Sequence, residues 1–357
     1  MYHPATYAIH GENQNDAIGD VVPPIHLSTT FQRSEDGSFV EGRDIYTRAS
    51  NPNRRQVEAK LAHLEKGKDA IAFASGQAAT FSIFHSLGQG KHVIIPNDIY
   101  YNTRLLLTEV YEQWDIRFSV CDMTDIEAVK AAIQPDTALI WIETPSNPLL
   151  KISNIKEICA IAHERNIKVV CDNTFATPVF QNPLLLGADI VMHSTTKYLG
   201  GHSDIMGGAL IGKSEDEFWE KIRNVQISGG AIPSPFDCYM LTRSIKTLPY
   251  RMKGHAEHAG VIATFLQNHS EVEKVYYPGL KEHHGHATAA SQMTGFGGML
   301  SFLVKGGAKK ADNVISRLKY FTNATSLGGV ESLIERRAAS EDPNTKTPQN
   351  LIRVSVG

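Results

Sequence analysis

Of 357 residues only four are cysteine (Cys121, Cys159, Cys171 and Cys238), and no two of them form a C-x-x-C pair. That scarcity excludes a disulfide frame and a cysteine-rich metal module. The four read as small apolar residues of strands and helices in a reducing compartment. No apolar run reaches bilayer-crossing length, and Met1–Thr6 lacks the basic-then-apolar order of a signal peptide. No membrane partner is therefore expected, and the expected location is cytoplasmic. Positive charge is not in excess, with 35 Lys and Arg against 38 Asp and Glu and a net charge of −3. Without a basic stripe, nucleic acid is not an expected partner. A G-x-G-x-x-G segment after a first strand is also missing, which removes a nicotinamide dehydrogenase. What is present is ordinary: 42% apolar and 20% charged residues, with enough chain for a substantial core and a second, smaller domain.

The middle of the chain alternates short apolar runs with helical patterns. His92–Pro96, Ala138–Glu143, Val169–Asp172, Ile190–His193 and Gly208–Ile211 have strand length. Thr124-Asp125-Ile126-Glu127 forms a capping box that opens a helix carrying Ile126, Val129 and Ile133 on one face. Ser214–Glu217 opens another, and Ile155, Ile158, Ile161 and Ala162 form one stripe. Strands joined by helices imply the α/β class, a parallel sheet covered on both faces. From about Tyr239 the pattern changes to a long helical stretch, then Gly295–Val304, then helix and strand again, which reads as a C-terminal α+β domain.

Lys197 follows the run Ile190–Met192 where that strand gives out, with Ser194 and Thr196 before it and Gly200 and Gly201 after. Side chains at the carboxyl ends of α/β strands point into the ligand crevice. An amine there suits a Schiff base with an aldehyde, and the two hydroxyls suit a phosphate ester. An arbitrary lysine is a solvated loop residue, but Asp172 weighs against that reading here. It ends the run Lys168–Cys171, and a pyridoxal ring nitrogen needs a carboxylate to stay protonated; taken alone it reads as a helix cap. In Phe73–Thr80 a small-residue turn precedes helix formers, so Gly76 and Gln77 offer N–H groups to a phosphate, the alternative being a plain Ser75 cap. Arg48 beside Tyr46 can grip phosphate bidentately. Tyr100 and Tyr101 follow the run His92–Pro96, at the crevice edge, where a ring stacks on a flat cofactor. Asn147 projects from a turn set by Pro145 and Pro148. Arg353 lies inside the strand pattern Leu351–Val356, and a buried arginine needs an anion, such as the α-carboxylate of an amino acid. His283, His284 and His286 are close enough to share a metal, but supporting partners are not evident and no metal is expected.

Together these segments resemble the cysteine/methionine-metabolism family of pyridoxal-phosphate enzymes, which includes cystathionine γ-synthases, γ-lyases and β-lyases. The resemblance runs from Val22–Phe31 through Ser326–Ser332 to Arg353. Ser194-Thr195-Thr196-Lys197 and Ser326-Leu327-Gly328-Gly329 carry it most specifically. It implies the aspartate-aminotransferase-like (type I) fold with a mostly parallel seven-stranded sheet. It further implies an arm over residues 1–50 serving the neighbouring subunit, a large cofactor domain over 51–238 and the α+β domain over 239–357. Pyridoxal 5′-phosphate is implied on Lys197, which also shuttles protons, with Asp172 at the ring nitrogen and Tyr100 stacked on the ring. The resemblance puts the phosphate on Gly76, Gln77, Ser194 and Thr196, with Tyr46 and Arg48 completing that site from the neighbouring subunit. It puts the carboxylate of an amino-acid substrate on Arg353, Asn147 and Ser326. The implied assembly is a homotetramer of two active dimers. The implied activity is elimination or replacement at the γ-carbon of a homoserine-derived or sulfur amino acid, of the cystathionine γ-lyase or γ-synthase type. Cystathionine β-lyase, O-acylhomoserine sulfhydrylase and a catalytically inactive scaffold are the alternatives.

Several positions depart from the family pattern. Tyr101 and Asn102 stand where two glycines are common, and Asn102 replaces the cysteine of methionine γ-lyases, which argues against that activity. Thr325 and Ile45 replace acids, and Leu327 and Val330 do not match the aromatics of bacterial β-lyases. γ-Chemistry is therefore favoured over β-chemistry, and an acylated homoserine stands beside cystathionine as substrate. The run Arg336–Pro343 is short and charged; it reads as a substrate entrance or as a solvated loop. The family continues into a last helix beyond the position of Gly357. Lys197, Asp172, Arg353 and Tyr100 occurring together argue against an inactive scaffold.

Overall fold

The computed structural model describes residues 3–10, 19–341 and 345–357. Seven strands build the main sheet: β1 (Asp69–Phe73), β2 (His92–Pro96), β3 (Arg117–Cys121), β4 (Thr137–Glu143), β5 (Lys168–Asp172), β6 (Ile190–Ser194) and β7 (Gly208–Gly212). Their spatial order is β1-β7-β6-β5-β4-β2-β3. Strands β2 to β6 pair in parallel, and β7 runs antiparallel to both its neighbours. The expected five runs are all strands here, and the sheet is mostly parallel with seven strands.

Apolar runs are nearly continuous because both faces of this sheet are buried. Ile140, Ile142, Val169, Cys171 and Val191 enter one core, with Val57 and Leu61 of the helix Pro52–Glu65. Alternate residues of the same strands, Leu139, Trp141, Val170, Ile190 and Met192, enter the other, with Ile83 and Phe84 of the helix Gly76–Leu87. A second sheet holds β8 (Val272–Tyr276), β9 (Met299–Val304), β10 (Phe321–Asn323), β11 (Ser332–Arg336) and β12 (Leu351–Ser355), in the order β10-β11-β12-β9-β8. It packs on Ala259 and Ala263 of the long helix Leu248–Gln267 and on Ala311 and Ile315 of the helix Gly307–Ile315.

Two helix starts differ from their sequence signals. Asp125, not Thr124, caps the helix Ile126–Ala132, accepting from the Glu127 and Ala128 amides at 3.0 and 3.4 Å. Thr124 instead donates to Asp122 at 2.7 Å, and Ile133 lies just past the helix end in extended backbone. Likewise Asp216, not Ser214, caps the helix Glu217–Gly229 through the Trp219 amide at 3.0 Å. In both cases the ionised acceptor nearest the helix dipole takes the cap. Residues 19–50 are largely exposed, and only the bridge Thr30–Tyr46 gives them strand pairing. By contrast, the helix Pro4–His10 packs on its own chain, with Ala8 fully buried and its carbonyl accepting from Lys60 Nζ at 2.8 Å.

Among the described residues no helix is long and apolar enough to cross a membrane. All four cysteines are unpaired: Cys159, Cys171 and Cys238 are buried and Cys121 is partly so.

Candidate active site

Parallel pairing brings the carboxyl ends of β4, β5 and β6 to one edge, with Glu143 in register with Asp172 and Asp172 with Met192. The loops leaving β2 and β4 diverge there, as α/β sheets do at a ligand crevice. A cavity of about 410 Å³ opens at that edge. Lys197, Asp172, Tyr100, Gly76, Gln77, Ser194, Thr196, Asn147, Ser326 and Arg353 all line it. Tyr46 and Arg48 do not: they lie together on the exposed segment, the guanidinium carbon 5.1 Å from the ring centroid.

Lys197 sits in the turn between β6 and β7. That turn is tied back by the Thr195 amide, which donates to the Gly207 carbonyl at 3.0 Å. Its Nζ donates to Ser326 Oγ at 2.8 Å. Burial, and then the positive charges of Arg353 and Arg337, push the amine down to about 8. Asp172 Oδ1 accepts from the Thr174 amide at 2.9 Å, and Thr174 Oγ1 accepts from the Ser194 amide at 2.9 Å, so one threonine locks the ends of β5 and β6 together. Burial raises the Asp172 carboxyl, and no cation among the described residues lies in ion-pair contact with it. An uncompensated acid and an uncompensated amine thus share one cavity. This is the pattern of groups whose charge is matched by a bound molecule.

The helix Gly76–Leu87 begins at this cavity, with Ser75 Oγ accepting from the Ala78 amide at 3.0 Å. The Gly76 and Gln77 amides donate to no acceptor among the described residues, and the buried Gln77 Oε1 has no partner. A Cβ on Gly76 would stand 3.1 Å from Ser194 Cβ, so the glycine lets the helix start close against β6. Unpaired amides at a helix start suit a phosphate. The Thr196 hydroxyl differs from the expectation of a free donor: it donates to the Gly207 carbonyl at 3.2 Å and accepts from the Gly207 amide at 3.0 Å.

At the other end, Arg353 on β12 donates to Asn147 Oδ1 and to the Ser326 carbonyl, both at 2.9 Å. Its anion within the chain is Glu335, directly across the β11–β12 ladder, a partner that the sequence reading did not supply. Ser326 has φ +78, a backbone strain concentrated where both Lys197 and Arg353 reach it. Gly328, φ +80, leaves no room for a side chain: a Cβ would lie 2.6 Å from the Tyr198 amide nitrogen.

Three residues here, Glu143, Thr174 and Glu335, were not singled out in the sequence, and Arg337 was named only within the run read as a substrate entrance or a solvated loop. Glu143 ends β4, accepts from the Tyr100 amide at 2.8 Å and so fixes the aromatic at the cavity rim. Burial, and then Asp172, hold its carboxyl well above the usual range. An acid closing a buried apolar run is the same signal that marked Asp172. Thr174, Glu335 and Arg337 had no comparable pattern. The Arg336–Pro343 run is not a solvated loop at its start, since Arg337 is buried and lines the cavity; Asp342 and Pro343 lie outside the described residues. His283 Nδ1 accepts from the Gly285 amide, and His286 packs near Phe296. Among the described residues no group of three His, Cys, Asp or Glu is placed to hold a metal.

Residues 5–357 match the model of the family described as Cys/Met metabolism PLP-dependent enzyme. The chain belongs to that family. The cystathionine gamma-synthase of Mycobacterium tuberculosis is 46% identical over 99% of this chain and 92% of its own. The cystathionine gamma-lyase of Dictyostelium discoideum is 44% identical over 100% and 94%. The crystal structure of metB from Corynebacterium glutamicum superposes with a TM-score of 0.97 at 41% identity, covering 100% of this chain and 94% of that one. The family's cofactor is pyridoxal 5′-phosphate, and the residues present fit it. Lys197 would meet the aldehyde and Asp172 the ring nitrogen, and the amides of Gly76 and Gln77, which have no acceptor among the described residues, would hold the phosphate.

Proposed function

We propose that this protein is a trans-sulfuration enzyme acting at the γ-carbon of a homoserine-derived or sulfur amino acid, by elimination or replacement. The observation that carries this reading is the buried Lys197 amine sharing a cavity with the buried Asp172 carboxyl. Bound there, pyridoxal 5′-phosphate supplies an aldehyde for the substrate amine and a ring that stores the electron pair of a broken C–H bond. Lys197 Nζ, whose charged form burial disfavours, would carry a proton from and back to the substrate, held on line by Ser326 Oγ. Asp172, buried in the cavity lining, would hold the proton on the ring nitrogen. Arg353, oriented by Asn147, binds the substrate carboxylate. Tyr100, pinned by Glu143, would stack on the cofactor ring.

The remaining assignments rest on exposure and on the family. The division is an arm over 1–50, a cofactor domain over 51–238 and a third unit over 239–357. Val21, Leu27, Phe39 and Tyr46 are exposed on the arm, apolar surface that a neighbouring subunit covers. Tyr46 and Arg48 then complete that subunit's phosphate site, and the assembly is a tetramer of two such dimers. Four unpaired cysteines support a cytoplasmic location. The test is a product assay on cystathionine, O-succinylhomoserine and O-acetylhomoserine, with and without cysteine. 2-Oxobutanoate or a new thioether supports the γ-carbon assignment; pyruvate from cystathionine overturns it.

A further inference from the structure

Three cations line the cavity among the described residues, and the chemistry above uses only Lys197 and Arg353. The third, Arg337, leaves β11 in the short turn Arg337–Ser340 and is 6% exposed. Its Nε donates to Glu341 Oε1 at 2.9 Å and its Nη1 to Glu335 Oε1 at 3.2 Å. Its Nη2 donates to no group among the described residues. The two acids are braced in turn. Glu335 Oε2 accepts from Ser340 Oγ at 2.8 Å, and Glu341 Oε2 accepts from the Thr345 and Thr347 hydroxyls at 2.6 and 2.7 Å. Neither Glu335 nor Glu341 lines the cavity, whereas Arg337 does. Glu143 and Asp172, at the ends of β4 and β5, are the only lining carboxylates among the described residues. The guanidinium is thus clamped by two acids outside the lining, with one nitrogen still unspent, in the cavity where Arg353 takes one substrate carboxylate.

We propose that Arg337 is a second anion site, which binds a carboxylate at the end of the γ-substituent and sets a preference for substrates that carry one. This rests on the γ-carbon reading above. The free Nη2 of a fixed guanidinium gives a carboxylate a charge-assisted hydrogen bond, and a neutral acyl group gains far less from it. The test uses holoenzyme and γ-replacement by cysteine on O-succinylhomoserine and O-acetylhomoserine. Arg337→Met combined with Glu341→Gln keeps the local charge balanced, and Arg337→Lys keeps a point charge. Because Arg337 also acts on Lys197, the reading is the ratio: the double variant is expected to lower kcat/KM on the succinyl ester relative to the acetyl ester about 10- to 100-fold, with Arg337→Lys intermediate. Equal losses on both esters, or an unchanged ratio, overturn the proposal. Glutarate titrated calorimetrically into the holoenzyme reads the site without turnover. Weakening by about tenfold or more in the double variant supports it, and equal affinity overturns it. A parent enzyme inactive on every γ-substituted substrate counts against the γ-carbon reading instead, and the glutarate titration still decides the role of Arg337.

Discussion

The pH at which Lys197 captures the cofactor follows from its surroundings. Burial, Arg353 and Arg337 hold the amine at about 8 instead of 10.5, equivalent to about 3 kcal/mol of lost preference for the ammonium form. At pH 7.5 about a quarter of the chains then carry the free amine, against about one in a thousand for an ordinary lysine. Only the free amine attacks an aldehyde. Apoenzyme mixed with substoichiometric pyridoxal 5′-phosphate, quenched with borohydride and digested, should give an initial rate of modification at Lys197 that climbs to an inflection near pH 8. Nα-acetyllysine in the same tube supplies the reference, climbing toward its ordinary value. Labelling of Lys197 that tracks the reference amine refutes the reasoning. Replacing Arg353 by Met removes the largest contribution after burial, so the inflection should move upward. The same depression has a sign for stability. The folded value lies below the unfolded one, so this group costs the apoenzyme stability in full below pH 8, and the cost fades as pH rises to 10.5.

Glu65→Ala removes a fully buried acid that accepts from His193 Nε2 at 2.6 Å and from Asn173 Nδ2 at 2.7 Å. His193 Nδ1 already lacks a partner, so the loss is about 3–5 kcal/mol. At about 2.1 cal/mol/K per residue, that is a fall in melting temperature of about 4–7 °C for a chain of this length. A shift below about 1 °C, within the scatter of surface changes, would contradict it. Gly328→Ala places a Cβ at φ +80, 3.0 Å from the carbonyl carbon of Lys197 and 2.6 Å from the next amide nitrogen. Because those atoms are backbone, the lysine turn must move. Faster loss of the visible cofactor band on dialysis is the expected result, and parental retention would sink the idea.

How much of this was legible in the sequence depended on whether the signal was local. The buried runs ending in Asp172 and in Ser194 announced their strands because both sheet faces are covered, which leaves apolar residues in unbroken series. β1 and β3 did not announce themselves. Asp-Ala-Ile-Ala-Phe and Arg-Phe-Ser-Val-Cys are mixed, and β3 is an edge strand with Arg117 and Val120 exposed. Ten of the residues that line the cavity were named from the sequence: most end or follow a strand or open a helix, Arg353 sits inside a strand pattern, and Ser326 came with the family resemblance. Glu335 was not, since its meeting with Arg353 depends on the register of β11 against β12, fixed only when two segments 18 residues apart pair. Arg337 was hidden by composition: two arginines and two acids close together look like solvated surface, and only burial turns them into a clamp.

The position of the reactive amine belongs to neither sheet alone. From the main sheet, the Thr195 amide ties the lysine turn to Gly207, just before β7. From the other side, the Val330 amide donates to the Gly201 carbonyl at 3.1 Å, and Ser326 takes the amine itself. The Gly328 amide in turn donates to Ser355 Oγ on β12 at 2.8 Å, two residues beyond Arg353. Lys197 and Arg353 are thus two ends of one hydrogen-bonded path through Ser326–Val330. Any slip between the two sheets changes the spacing between Lys197 and Arg353 before it breaks either core. That spacing controls reaction rate far more steeply than it controls stability. The strained φ at Ser326 is therefore placed where one residue sets both distances.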